Sequence, residues 1–206
     1  MNKIIMTLAA VMTMGLAACA QDKGERKTES ENKPLVVYFS ATGTTARAAR
    51  MIADATGGVP CEIVPQQAYT SKDLDWNDSQ SRSSVEMNDP QARPALKATK
   101  TSVSDYGVIF IGYPIWWNQA PRIIWHVHPT AFLLRSAPRI VNTFIESHDL
   151  RGKTLVPFAT SGGSGIGNSV SELRKAYPDL EWKDGKLLNG TSRNSVQEWV
   201  DEVMKE

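Results

Sequence analysis

Residues Leu35–Thr45 read LVVYFSATGTT, and this stretch decides the fold. Its first five residues are all aliphatic or aromatic, which is typical of a strand covered on both faces of a parallel sheet. The alanine-rich segment that follows places Ala46, Ala49, Ile52 and Ala53 at helical spacing. The pattern therefore predicts a strand, a tight loop and a helix that packs back on the strand.

The loop between this strand and helix contains four hydroxyl side chains and one glycine. At a helix N-terminus, free backbone N–H groups and the positive end of the helix dipole favour an anion. A Walker-A loop would add a lysine and a dinucleotide fingerprint would read G-x-G-x-x-G, and neither pattern is present. Neutral donors suit a single phosphate monoester, and the predicted contacts are Ser40, Thr42, Gly43, Thr44 and Thr45. The alternative is a hydroxyl-rich loop that only caps the helix.

The same stretch resembles the phosphate-binding signature of the flavodoxin family. The positions in register are Val36, Val37, Tyr38, Ser40, Gly43, Thr45, Ala49 and Ile52. The resemblance implies that the loop holds the phosphate of FMN. Further strands are predicted at 59–64, 106–112, 153–159 and, short and with a turn, 180–188. Their alternation with helices predicts an α/β fold, a doubly wound five-stranded parallel sheet in the order 2-1-3-4-5 with helices on both faces.

The N-terminal residues 1–18 resemble a bacterial lipoprotein signal peptide. A basic start is followed by an apolar run too short to span a bilayer, and Leu16–Cys19 (LAAC) matches a lipobox with Cys19 as the lipidated residue. A plain secretory signal is the alternative. Residues 19–33 are mostly charged or polar and predict a disordered tether, which leaves 34–206 as the folded domain.

Charge and cysteine content narrow the possible partners. Removal of Lys3 with the signal peptide reduces 23 basic residues to 22 against 22 acidic ones, so the mature chain is formally neutral and no strong field steers it to nucleic acid. With Cys19 lipidated, Cys61 has no intramolecular disulfide partner. We interpret Cys61 as a buried inert thiol rather than a redox group.

The polar stretch 66–100 predicts a long excursion followed by a short helix at 92–98. Its segments 69–77 and 81–83 resemble a region that lies beside the cofactor in exported flavodoxin-like proteins of bacteria. Packing of a surface loop is the alternative for each of these residues.

Two further loops follow buried strands, where ligands bind in open parallel sheets. Residues 113–118 contain adjacent tryptophans, which suit a flat partner, although one of the two rings is expected to be core. The loop at 160–168 is glycine-rich, which indicates close backbone approach rather than a flexible linker. The resemblance implies that both loops line the flavin ring, through Pro114, Ile115, Trp116, Trp117 and Asn118 in the first loop and Ser161, Gly162, Gly163 and Gly165 in the second.

A short internal repeat departs from the family pattern. Residues 120–124 (APRII) recur 17 residues later at 137–141 (APRIV), which predicts an insert around 124–140. We interpret the insert as an extra helical lid beside the tryptophan loop, with Pro138 starting the following helix. His126 and His128 lie within it, but a metal site needs a further ligand, so no metal is expected.

The resemblance implies an FMN-binding electron-transfer flavoprotein, anchored by lipid to the bacterial envelope outside the cytoplasm. Its partners would be FMN, the membrane and a redox protein or small acceptor. The alternatives are an FMN-dependent quinone or nicotinamide oxidoreductase and a flavin-free binding module. Formal neutrality weakens the carrier, and the scarcity of nicotinamide donors outside the cytoplasm weakens the reductase more. No catalytic triad or paired carboxylates are evident, and a flavin would not require them.

Overall fold

The computed structural model describes residues 33–116 and 137–205. Several predictions fall outside these residues and stay predictions. They concern the signal peptide, Cys19 and the tether up to residue 32, as well as Trp117, Asn118, the first copy of the repeat, His126, His128 and most of the insert.

The described residues form strands and helices that alternate along the chain. The strands are β1 (Leu35–Tyr38), β2 (Val59–Glu62), β3 (Val108–Pro114), β4 (Thr154–Thr160), β5 (Glu181–Trp182) and β6 (Lys186–Leu187). The helices are α1 (Thr44–Thr56), α2 (Arg82–Asn88), α3 (Arg139–Glu146), α4 (Gly167–Ala176) and α5 (Arg193–Val203), with a single 3₁₀ turn at Val103–Asp105.

All strands belong to one parallel sheet in the order β2-β1-β3-β4-β5. β6 also pairs with β4, further along it than β5 does. The two short strands therefore act as one interrupted fifth strand, which matches the predicted strand with a turn. The predicted doubly wound sheet, with the order 2-1-3-4-5, is confirmed.

Alternate strand residues point into two separate apolar layers. One layer lies between the sheet and the helices α3 and α4. The strand regions contribute Leu35, Val37, Phe39, Ile109 and Ile111, and the helices contribute Ile140, Val141, Phe144, Ile145 and Leu173. The other joins Val36, Tyr38, Phe110, Val156 and Phe158 to Ala49 and Ile52 of α1 and to Val196, Trp199 and Val200 of α5. Helices thus cover both faces, as predicted.

The centre of the sheet requires a glycine. Gly112 of β3 lies beside Phe158 of β4, and a Cβ at residue 112 would come within 2.0 Å of the Phe158 ring. This close approach lets the large ring pack fully buried against β3.

The predicted helix at 92–98 is wrong. Pro94 interrupts the segment, since proline lacks the N–H that a helix interior needs. Leu96 instead forms an antiparallel bridge with Pro65. The helix of this region is α2, which Ser81 caps by accepting a hydrogen bond from the N–H of Ser84 at 3.3 Å.

Three smaller predictions can be compared with the structure. β3 continues through Tyr113 and Pro114, which were predicted to lie in the following loop, because Pro114 stays in register with Thr160 of β4. α3 begins directly after Pro138, as the repeat predicted. Cys61 is a buried free thiol, with its Sγ 3.3 Å from Thr99 Oγ1.

Two searches of the described residues bear on membrane and metal binding. None of their helices combines the length and apolar character of a membrane span. Nor do these residues contain a cluster of three or more His, Cys, Asp or Glu side chains that could hold a metal ion.

Candidate cofactor site

The loop between β1 and α1 is shaped by Ser40 and Gly43. Ser40 Oγ accepts hydrogen bonds from the N–H groups of Gly43 and Ala46, both at 3.1 Å. Gly43 precedes the helix with φ of 85°, a left-handed conformation that side chains with a Cβ rarely adopt. Together they turn the chain sharply from strand into helix.

This turn leaves backbone donors at the start of α1. The N–H groups of Thr44 and Thr45 lie in the first helical turn, where backbone geometry offers no intrahelical acceptor. The first turn holds no acidic residue, and Thr42, Gly43 and Thr44 are exposed. The loop therefore presents neutral donors and the positive end of a helix to an anion.

Thr45 has a second role that the sequence did not reveal. Its side chain is only 1% exposed, and its hydroxyl lies 2.8 Å from the hydroxyl of Thr160. Thr160 is the last residue of β4. This bond therefore joins residues 40–45, the predicted phosphate loop, to the start of the glycine-rich loop. The Thr45 hydroxyl is thus engaged by the protein, whereas its N–H faces the helix end.

A cavity of about 200 Å³ lies beside the phosphate loop. Three segments of the described chain line it: the phosphate loop, the polar excursion with α2, and the end of β3. The lining residues are Ala41, Thr42, Leu74, Trp76, Ser83, Ser84, Met87, Pro114, Ile115 and Trp116. The structure therefore brings Thr42 together with three predicted ring contacts, in an apolar cavity that contains a few hydroxyl groups, as small-molecule sites commonly do.

Trp116 is both a core residue and a cavity residue. Its ring centroid lies 5.5 Å from that of Phe39 and 5.3 Å from that of Tyr69, and both contacts are edge-to-face. The ring is half-buried and packs against the core layer that α3 and α4 cover. Trp116 thus packs against the core and also lines the cavity, and the expectation that one of the two tryptophans is simply core stays a prediction because Trp117 lies outside the described residues.

The far wall of the cavity is braced by a half-buried ion pair. Arg82 Nε donates to Glu86 Oε1 at 2.6 Å, and the Arg82 guanidinium lies 4.0 Å from the centroid of the Tyr69 ring. The Tyr69 hydroxyl donates to the other Glu86 oxygen. Burial, reinforced by the bond to Glu86, raises the pKa of Tyr69 above its ordinary value.

Sequence reasoning placed Ser83 only in a segment expected beside the cofactor, and it did not assign Ser84 or Met87 to the site. The available signals were the cap-forming Ser81 and the i, i+4 spacing of Arg82 and Glu86, which together favour a short helix. A helix prediction based on these two signals would have placed α2 at its observed position.

The glycine-rich loop is held by its neighbours but does not line this cavity in the described chain. The Ser161 N–H donates to Asn189 Oδ1 at 2.7 Å, and Asn189 Nδ2 donates back to the Ser161 carbonyl. Gly162, Gly163 and Gly165 are exposed. The predicted flavin contacts of this loop therefore stay predictions.

A buried hydroxyl pair fixes the helix that follows this loop. The Tyr113 hydroxyl lies 3.0 Å from Ser169 Oγ, and burial raises the pKa of Tyr113 to about 12. The end of β3 and the start of α4 are thereby joined behind the site.

A comparison with known protein families identifies the family of this chain. The profile of the flavodoxin family matches residues 33–203, which is nearly all of the described chain. The chain belongs to the flavodoxin family. No curated protein matches it.

Two solved structures are similar to this chain in both sequence and fold. A protein from Bacteroides eggerthii described as a flavoprotein is 56% identical, with a TM-score of 0.73, and the match covers 84% of this chain and 98% of that one. Another so described, from Bacteroides uniformis, is 51% identical, with a TM-score of 0.72 and coverage of 83% and 99%.

A more distant neighbour shares the fold. The flavoprotein from Lactobacillus acidophilus, solved in complex with FMN, is 18% identical, with a TM-score of 0.58 and coverage of 82% and 98%. At this identity the likeness concerns the fold alone.

Proposed function

We propose that this flavodoxin-family protein is an FMN-binding electron-transfer protein held at the bacterial envelope by a lipid on Cys19. Family membership, together with a neighbour solved with FMN, supports the predicted cofactor. The observation that carries the proposal is a neutral, hydroxyl-rich loop at the N-terminus of α1, which borders an apolar cavity lined by tryptophan.

The donor set of the loop fits a phosphate monoester. Thr44 and Thr45 supply backbone N–H groups at a helix end, while Ser40 holds the loop in shape from behind. Thr42 and Thr44 add exposed hydroxyl groups. Ser40 Oγ accepts two N–H groups and so shapes the loop, and its O–H hydrogen can still donate to the phosphate beside the threonines.

The cavity fits the flat, largely apolar ring of a flavin. Pro114, Ile115 and Trp116 form one side of it, and α2 with Trp76 forms the other. Trp116 is held by edge contacts to two other rings, so its position does not depend on the ligand. Such a fixed wall orients a ring and excludes water from its face.

When bound, FMN supplies transfer of one or two electrons. The protein's own contribution is to bind, orient and shield the ring. None of the described residues lining the cavity carries an ionisable side chain.

The phosphate assignment is tested by placing a carboxylate in the loop. Thr45→Glu should abolish FMN binding, but Thr45 is buried, so Thr42→Glu at an exposed position is the paired variant. Fluorescence titration of refolded apoprotein measures the affinity for FMN, and circular dichroism checks the fold. Thr101→Glu is the control, because Thr101 precedes β3, at the opposite end of that strand from the loop. Wild-type affinity in a folded Thr42→Glu variant would refute the assignment.

Anaerobic titration separates the two redox functions. A carrier accepts electrons from dithionite but not, at a catalytic rate, from a nicotinamide donor. Rapid bleaching of the flavin absorbance by NADH or NADPH, with reoxidation by a soluble quinone, would instead establish an oxidoreductase.

Anchoring is tested at Cys19. Cys19→Ser should leave the precursor without lipid, which mass spectrometry and fractionation of bacterial membranes detect. A mature wild-type protein that carries no lipid would refute the anchor and leave the flavin proposal unaffected.

A further inference from the structure

A second concave site lies on the other border of the phosphate loop. This arginine groove has a volume of about 470 Å³ and is formed where the first turns of α1 meet the segment between β6 and α5. Its polar lining comes from Thr44, Arg47 and Arg50 on α1 and from Gly190, Thr191 and Arg193 on the facing segment. No residue among the described ones that line it is acidic.

The charge of the groove is unusual for this chain. The whole chain has a formal charge of +1, yet three guanidinium groups line one groove. Arg193 Nη1 is 2.9 Å from Asp54 Oδ2, so one of these charges is partly balanced. In the described part of the chain, Arg47 and Arg50 form no ion pair. The groove therefore holds an excess of positive charge close to a helix N-terminus.

The start of α1 and the turn after β6 define the position of the groove. Thr44 is the first residue of α1, so the groove and the cofactor cavity border the same loop, with Thr42 in the cavity and Thr44 in the groove. The opposite side is held by Asn189, which is bonded to Ser161 of the glycine-rich loop. Gly190 has φ of 57°, which allows the tight turn that carries Thr191 into the lining.

We propose that the arginine groove, which adjoins the loop predicted to hold the flavin phosphate and shares Thr44 with it, binds the phosphate group of a second, organic anion. Guanidinium groups present paired N–H donors that match phosphate oxygens, and they remain charged at every physiological pH. Arg47 and Arg50 lie on one helix face and form no ion pair with another described residue, so they suit a dianion better than a single carboxylate. Such a phosphate can come from a soluble nucleotide or from the head group of an anionic phospholipid.

The test uses protein saturated with FMN, so that the phosphate loop is occupied. Isothermal titration calorimetry with inorganic pyrophosphate should detect binding, and Arg47→Ala and Arg50→Ala should each weaken it about tenfold. Arg151→Ala is the matched control, because Arg151 is an exposed arginine before β4, at the opposite end of that strand from the loop. Absent binding, or equal binding by all variants, would overturn the proposal.

Two further arms identify the source of the phosphate. Binding of ADP or NADPH with the same arginine dependence would assign a nucleotide, whereas arginine-dependent flotation with phosphatidylglycerol vesicles, but not phosphatidylcholine vesicles, would assign a lipid. Pyrophosphate binding without either would overturn the assignment to an organic phosphate.

A flavin readout keeps this inference distinct from the proposed function. The variants should retain wild-type flavin absorbance. Loss of flavin from Arg47→Ala with unchanged pyrophosphate affinity would place Arg47 in the flavin site and overturn the proposal. The arginine dependence can also be measured in flavin-free protein, so the groove and the flavin site fail or succeed separately.

Discussion

The phosphate loop and the wall that faces it across the cavity are built in opposite ways. Apart from the Thr45–Thr160 hydroxyl bond, residues 40–46 take their shape from hydrogen bonds within six positions of one another, such as those from the Gly43 and Ala46 N–H groups to Ser40. The wall, which comprises residues 66–97 with α2, depends on distant partners. Arg93 pairs with Glu146 of α3, and Tyr69 packs on Phe39 and Trp116.

The two regions therefore need different interactions in order to form. The loop needs one glycine and one serine at fixed positions, and its geometry follows from backbone preferences. The wall needs the remainder of the domain to be folded first, because its own sequence is polar and its ordering is offset only by distant contacts. Substitutions should therefore affect the loop through ligand affinity and the wall through stability.

The largest effect is expected where the two regions meet. Trp116→Ala removes edge contacts to both Phe39 and Tyr69, and should lower the free energy of unfolding by about 3 kcal/mol. It should also weaken FMN binding by about 1 kcal/mol or more. Urea denaturation and flavin titration measure the two losses. Trp76→Ala, at a ring that is 53% exposed, is the control and should cost much less stability. Equal losses in stability would remove Trp116 from the core.

A smaller loss of stability is expected within the wall. Glu86→Ala leaves the Arg82 guanidinium and the Tyr69 hydroxyl without their shared acceptor, and should cost about 2 kcal/mol of unfolding free energy. Asp149→Ala, which breaks the exposed pair with Arg151, is the control and should change stability little. If the two variants unfolded at the same urea concentration, the half-buried pair would not brace the wall.

The phosphate loop should show the reverse balance. Gly43→Ala forces a Cβ into a left-handed conformation, which costs about 1 kcal/mol of stability and should lower FMN affinity by distorting the donors. Gly107→Ala, at a glycine without positive φ and with open space at its Cβ, is the control. A Gly43→Ala variant with normal FMN affinity would show that the left-handed turn does not position the donors.

The smallest effect is a local response to acid. Arg93 holds the pKa of Glu146 below its ordinary value of 4.5, so the stabilisation by this pair is present above that pH and is lost as the pH falls through the lowered pKa. Residues 40–45 contain no ionisable side chain. Hydrogen exchange should therefore show protection lost first at the Gln66 and Lys97 amides of the wall and later at the Arg47 amide of α1. Simultaneous loss would indicate global unfolding instead.

The parts that the sequence predicted are those with local causes. The buried run at Leu35, the helix that follows the loop at Gly43 and the start of α3 after Pro138 each follow from residue type and spacing. The sheet order followed from alternation and the rules for parallel crossovers.

The parts that the sequence missed have distant causes. Nothing local indicates that Leu96 pairs with Pro65, or that the Thr45 hydroxyl meets Thr160. β3 runs on to Pro114 because β4 offers partners as far as Thr160. α2 was overlooked because its serines and charges lack a long apolar stripe, although they carry its cap and its ion pair.

The hydroxyl bond between Thr45 and Thr160 makes the two loops of the site thermodynamically dependent on each other. It spans 115 positions in the chain and is buried. An anion that immobilises the start of α1 also immobilises the residue from which the glycine-rich loop departs. If the glycine-rich loop contacts the ring, as predicted, part of its ordering entropy is then already spent when a phosphate binds, and the two ends of one ligand should show positive cooperativity. Inorganic phosphate would then act on this protein as an effector of riboflavin binding rather than as a simple competitor of FMN.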